Sequence, residues 1–223
     1  LRWFTPDGQI SPGEFLPVAE KYNLMNKLDE YVVNKVFEHI HRAKTRRIQL
    51  PRIAINISDQ LIPLNVIEAL MAKHNIQPDD FELEITESMA VSEPEKVARV
   101  MRPLRSLGTK LAIDDFGTGH SNLSILTQLP FDVFKIDRQF VSALESDEQA
   151  PAIIEMILAM AETLGLNTVA EGVETERQAD FLRRRGCSMA QGFLYSAGLP
   201  HEAFMDFIRG WSSKSEASRL KVG

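Results

Sequence analysis

Short apolar runs alternate with helix-period segments along nearly the whole chain, and this alternation limits the fold more than any other feature. The runs are RIAINIS (52–58), FELEITE (81–87), KLAIDDF (110–116), DVFKID (132–137), NTVAEGV (167–173) and MAQGFLYS (189–196). Strands joined through helices run parallel, and a long succession of such units predicts a closed (β/α)8 barrel. An open doubly wound sheet is the alternative, but no Gly-x-Gly-x-x-Gly turn follows the first run to favour it. The opening LRW resembles the end of one more strand. A barrel of eight strands then expects its first strand region upstream of Leu1.

The helices between the runs carry recognisable punctuation. Ser92 lies three residues before Glu95, the spacing of a capping box, and the segment it opens closes at Gly108. Pro103 inside that segment predicts a kink. Ile153, Ile154, Ile157, Leu158, Ala161 and Leu164 recur at helical spacing up to Gly165, which marks an amphipathic helix packed on a core. That stretch carries Glu155 and Glu162 and is too short to cross a bilayer. The domain is expected over residues 1–211, with SSKSEASRLKVG (212–223) as a linker or frayed terminus.

Each run also ends on polar residues: Asn56, then Glu84 with Glu87, Asp114 with Asp115, Lys135 with Asp137, Glu171 with Glu174, and Gln191. In a parallel barrel all these ends open on one mouth, where active sites sit. Asp114 and Asp115 alone could be a helix cap and turn, but the coincidence across strands points to a site. Asn56, Glu84, Asp114, Asp115 and Glu171 offer only oxygen, which suits Mg²⁺ or Mn²⁺ better than Zn²⁺. Two such ions would let adjacent carboxylates stay ionised and would clamp a phosphodiester. Lys135, the one cation among the strand ends, could orient a water or stabilise developing charge. Glu171 could ligate metal, take a proton, or both.

Composition narrows the partners. The net charge of −6 excludes DNA as a general partner, and a single cysteine, Cys187, excludes a disulfide framework or thiolate zinc site. A reducing cytoplasm fits. His39, His41 and His74 are expected at the surface and His201 early in a helix. The basic runs RAKTRR (42–47) and RRR (183–185) lie at helix ends, where solvated cations suit the dipole. Glu176 reads as a first-turn carboxylate, and Glu174 divides evenly between that role and a ligand role.

LRW…PDGQISPGEFLPVAE, INIS, ELEITES, DDFGTGHSNLSIL, LPFDVFKIDRQFV, VAEGVETERQ and QGFLYS together resemble the EAL domain, the family of cyclic di-GMP phosphodiesterases. The resemblance implies a (β/α)8 barrel with one antiparallel strand that hydrolyses cyclic di-GMP to linear pGpG with Mg²⁺ or Mn²⁺. By motif, Asn56, Glu84, Asp114, Asp115 and Glu171 correspond to metal ligands, and Lys135 to the lysine that holds the attacking water. Glu171 is the proposed general base of the family. Glu87 corresponds to the glutamate that holds the DFGTGHSNL loop, which also bears on homodimer formation. Arg2 matches a phosphate-contacting arginine, and Glu174, Gln191 and Phe193 match positions lining the nucleotide pocket.

The family's Glu-x-Leu motif, with a further metal-binding glutamate, would fall about three residues before Leu1. Activity is expected if the full protein carries that glutamate. Without it the chain would be a silent cyclic di-GMP receptor, signalling by ligand binding and dimer rearrangement. A barrel enzyme for another phosphodiester satisfies the metal chemistry equally well. His120, in place of the usual aromatic residue, and Gly198, in place of a common proline, depart from the pattern without removing a predicted ligand. Family members are often fused to GGDEF or sensory domains, so a cytoplasmic domain of a longer, sometimes membrane-anchored protein is expected.

Overall fold

The computed structural model describes residues 3–6, 8–116 and 128–218, with 211–218 described by backbone alone. Its centre is a six-stranded, wholly parallel sheet in which every strand pairs with the next in sequence. The strands are β3 (Ile53–Asn56), β4 (Phe81–Thr86), β5 (Lys110–Phe116), β6 (Val133–Ile136), β7 (Asn167–Ala170) and β8 (Met189–Ala190). Among the described residues strand order never reverses, so they hold no switch point of a doubly wound sheet, and the sheet curls as a half-barrel. The barrel-type reading therefore holds over the open sheet.

The start of the chain differs from expectation. The strand at LRW is present as β1 (Trp3–Thr5), but its partner is β2 (Gly8–Ile10), antiparallel, in a separate two-stranded unit. Thr5 and Gly8 face each other across a tight turn, and the Thr5 hydroxyl donates to the Gly8 carbonyl at 3.0 Å. A local hairpin needs no distant strand, which is why it forms here.

The described α-helices are α1 (Pro12–Lys21), α2 (Met25–Thr45), α3 (Leu64–His74), α4 (Glu87–Ser92), α5 (Pro94–Leu107), α6 (Arg138–Ala143), α7 (Ala150–Leu164), α8 (Glu176–Arg184) and α9 (His201–Ser218). Successive strand residues point to opposite sides. Ile55, Phe81, Leu83, Ile85, Leu111, Ile113, Phe134 and Ile136 take the helix side and are buried with Val33, Phe37, Val97, Leu104, Ile154 and Ile157 in one core. Each such side chain contributes about 1.5–3 kcal/mol on full burial. The inner side carries a separate small cluster, Ala112, Val133 and Val169. No described helix is long and apolar enough to cross a membrane.

Gly108 and Gly165 close α5 and α7 in the left-handed conformation, as their positions predict. The box expected from Ser92 to Glu95 does not form. Ser92 instead ends α4, its hydroxyl donating to the Met89 carbonyl, and α5 starts from Glu93 without a side-chain cap. The start signal in use lies upstream, where Thr86 accepts the Met89 N–H directly after β4. Helix α5 continues through Pro103 to Leu107. The last strand is shorter than its apolar run, because the chain turns at Gly192: Leu194 N–H reaches the Val173 carbonyl, and Tyr195 and Ser196 close on Gly192. A Cβ on Gly192 would lie 2.2 Å from the Val173 carbonyl oxygen, so only glycine permits this approach. His39 is not a free surface residue: its ring lies 4.0 Å from that of His201, joining α2 to α9. The domain end expected at 211 falls within α9, which runs on to Ser218.

Candidate active site at the open end of the half-barrel

The inner side of the sheet is built in layers two residues apart. Ala112, Val133 and Val169 form the small apolar layer, and two residues further along the same strands stand Asp114, Lys135 and Glu171. Strand register sets Glu84 beside Ala112 and Asn56 beside Glu84, so both lie on that side as well. Period-two geometry alone thus gathers the predicted strand-end residues at one end of the sheet.

Lys135 is the centre of the arrangement. Only 3% exposed, its ammonium lies 2.7 Å from Glu84 Oε2, 3.0 Å from Asp114 Oδ2 and 2.6 Å from Glu171 Oε1. Burial works against its charge, but Glu84, Glu171 and Asp114 outweigh that cost and raise its pKa above the ordinary lysine value. The residue therefore stays a cation and a hydrogen-bond donor, never a base. Burial also lifts the Glu171 pKa, against the pull of Lys135, with Asp114 and Glu84 adding to the rise. Glu171 is consequently a better proton acceptor than a solvated carboxylate. The Gln191 amide donates to Glu171 Oε1 at 2.7 Å, which fixes the orientation of that carboxylate.

The strand is irregular at Asp114 and Asp115, where strict alternation of sides breaks. Pairing of β5 with β6 slips between Ile113 and Phe116, Asp115 adopts φ 56°, and Phe116 takes the buried helix side, so Asp115 stays within reach of the Asp114 and Glu171 charges. Its N–H donates to Asp114 Oδ1 at 3.0 Å. Burial, the Asp114 charge and a hydrogen bond with Asp137 push the Asp115 pKa up to about 6. Asp137 caps α6, accepting the Gln139 N–H at 2.7 Å. The sequence signal for Asp137 was its place two residues after Lys135, but its contact with Asp115 spans two strand ends and has no local signature. Glu82, buried one step below Glu84 with its pKa raised by burial and by Glu84, is a second acidic residue that sequence reasoning left without a role.

The remaining candidates divide. Asn56 is on the correct side but exposed, on a strand that among the described residues pairs with β4 alone. Glu87 is buried at the first position of α4, immediately after β4. Glu174 is exposed and precedes Thr175, the cap of α8, with its backbone N–H donating to Gln178 at 2.8 Å. Phe193 is 73% exposed and takes no part in the Lys135 network. Arg2 and residues 117–127, which include most of the DFGTGHSNL segment (115–123), lie outside the described residues, as does the contact expected between that segment and Glu87.

The donor set fits a hard divalent cation. It offers only oxygen, and its acidic groups exceed the positive charge supplied by Lys135, as the raised Asp115 pKa records. The carboxylates are gathered on the ammonium: among the described residues, no three of His, Cys, Asp or Glu already share one ion-binding point.

Comparison with known proteins places the chain in a family. The EAL domain family model matches residues 1–197. The bifunctional diguanylate cyclase/cyclic di-GMP phosphodiesterase MucR of Pseudomonas aeruginosa is 37% identical over 210 residues, which cover 92% of this chain and 31% of MucR. The cyclic di-GMP phosphodiesterase RocR of the same organism is 34% identical over 215 residues, 94% of this chain and 54% of RocR. A solved PaMucR phosphodiesterase in complex with c-di-GMP superposes with a TM-score of 0.85 at 36% identity, over 91% of this chain and 84% of that one. The chain spans 31% of the length of MucR and 26% of that of the signalling protein YkoW of Bacillus subtilis.

Proposed function

The chain belongs to the EAL domain family, and from that premise we propose that it is a metal-dependent phosphodiesterase hydrolysing cyclic di-GMP to linear pGpG. The observation that carries this reading is the buried Lys135 ammonium shared by Glu84, Asp114 and Glu171 at the ends of neighbouring strands. The family membership and the names of MucR and RocR support the choice of substrate. The greater length of those relatives supports a setting in a longer protein, which we propose to be a homodimeric signalling protein with a GGDEF or sensory domain.

Asn56, Glu84, Asp114, Asp115 and Glu171 would hold Mg²⁺ or Mn²⁺. When bound, such ions supply Lewis-acid chemistry, neutralising phosphate charge and acidifying water. Lys135 spends its three N–H groups on Glu84, Asp114 and Glu171. Where one of those carboxylates served a cation instead, Lys135 would hold the attacking water by its lone pair, facing the charge that develops at phosphorus. Glu171, kept in place by Gln191, accepts the proton of that water. Asp115, its pKa pushed up to about 6, would be favoured in its ionised form by a cation held beside it.

The test is turnover of cyclic di-GMP to pGpG with Mg²⁺ or Mn²⁺, followed by chromatography. Glu84→Ala and Asp114→Ala are expected to abolish turnover, and Lys135→Ala to lower the rate about 10²–10⁴-fold with a smaller effect on binding. Full activity in all three would overturn the proposal. Tight binding with no turnover in the unaltered protein would identify a receptor instead.

A further inference from the structure

Helix α2 buries Met25, Val33, Phe37 and Ile40 on one stripe, and on the same stripe it buries a carboxylate, Asp29, 6% exposed. Among the described residues no cation pairs with it, and burial raises its pKa against the opposing hydrogen bonds of Ser58. An apolar residue would serve that stripe better, since a buried charge is costly to desolvate. The contacts of Asp29 lie instead with the chain leaving β3: Oδ2 accepts both the Ser58 N–H at 3.1 Å and the Ser58 hydroxyl at 2.6 Å.

Ser58 is two residues past Asn56. Between them, Ile57 N–H donates to the Glu84 carbonyl at 2.9 Å, and beyond them Lys96 Nζ donates to the Asp59 carbonyl at 3.2 Å. Asn26, one turn before Asp29, donates its N–H to the Gln60 side chain at 3.3 Å. The exit from β3 is thus fastened to β4, α5 and α2. Among the described residues β3 pairs on one side only, so its end lacks the second ladder that holds Glu84 and Asp114.

We infer that Asp29 is a positioning residue for the mouth, clamping the chain at Ser58 so that the Asn56 carboxamide is held where it can serve a divalent cation. The inference rests on the proposed metal-dependent reading. It predicts that loss of the clamp weakens ion affinity, and that any acceptor of the same shape restores it. Outlying partners of metal ligands commonly contribute 10–100-fold in affinity.

The test uses the full 223-residue chain and Mn²⁺ alone, with free Mn²⁺ read by electron paramagnetic resonance and folding by circular dichroism. Asp29→Ala is expected to weaken Mn²⁺ binding about tenfold or more. Asp29→Asn, whose Oδ1 accepts the same two hydrogen bonds, is expected to stay within about threefold of the parent. Val33→Ala, on the same stripe, should lower stability and leave Mn²⁺ affinity unchanged. If Asp29→Ala does not fold, Ser58→Ala carries the test, with a loss of about three- to tenfold. Unchanged affinity in a folded Asp29→Ala or Ser58→Ala protein overturns the clamp and leaves the proposed function standing. Failure of the parent to bind Mn²⁺ overturns both.

Discussion

Lys135 answers to three carboxylates at once, with Asp115 and Asp137 nearby, so the local charge is negative even with the ammonium at its centre. Removing that one cation strands acidic groups in a buried place. Lys135→Met is therefore expected to lower stability by about 3–5 kcal/mol without divalent ions, and Mn²⁺ should recover much of the loss. Urea titrations with and without Mn²⁺ measure both numbers. Equal midpoints for parent and variant without metal would contradict the ion-pair network. The members of this cluster were legible in the sequence because each interrupts or ends an apolar run. Its internal wiring was not: the Gln191–Glu171 and Asp115–Asp137 contacts join residues far apart in the chain or across a bulge. Nor does any local pattern separate Asp29, buried at helical spacing among apolar residues, from an ordinary exposed helix aspartate.

Between elements, the return of the chain after β8 depends on one glycine. Gly192 presses against Val173, and its neighbour Gln191 holds Glu171. Gly192→Ala forces the turn off β7 by overpacking, an effect of about 1–3 kcal/mol. Thermal denaturation should register that loss, and the turnover rate should fall with it because Glu171 loses its orientation. An unchanged melting temperature would show that the turn can yield. The β-strand runs and the glycine stops after α5 and α7 were readable because period-two alternation and left-handed caps are local properties. The cap at Ser92 was misplaced for a related reason. Two start signals compete within ten residues, and the strand that ends at Thr86 decides for the earlier one. The antiparallel hairpin at the N-terminus was hidden because three-residue strands leave almost no periodicity to read.

Across the whole molecule, charge is divided between two ends of the sheet. Opposite the acidic mouth, Asp132, 9% exposed, accepts from Arg105, Lys110 and the Leu111 N–H, tying α5, β5 and β6 together. Burial opposes the Asp132 charge, yet Lys110 and Arg105 prevail and hold its pKa below the usual carboxylate value. A depressed carboxylate stabilises the fold above its unfolded pKa, near 3.9, and that contribution disappears as pH falls through the lower folded value. Asp132→Asn should thus cost about 1 kcal/mol at pH 7, the partners being half-exposed, and the difference from the parent should vanish below about pH 3. Melting curves from pH 7 to pH 2.5 test this, and a pH-independent difference would rule it out. The two-residue step from Ala112, Val133 and Val169 to Asp114, Lys135 and Glu171 has a further consequence. Sliding any one of these strands by a single position would drive its acid or amine into oil and turn an isoleucine or phenylalanine to the water. Chemistry and folding are enforced by the same ratchet, so a chain that reaches its native packing has no separate step left in which to assemble its reactive groups.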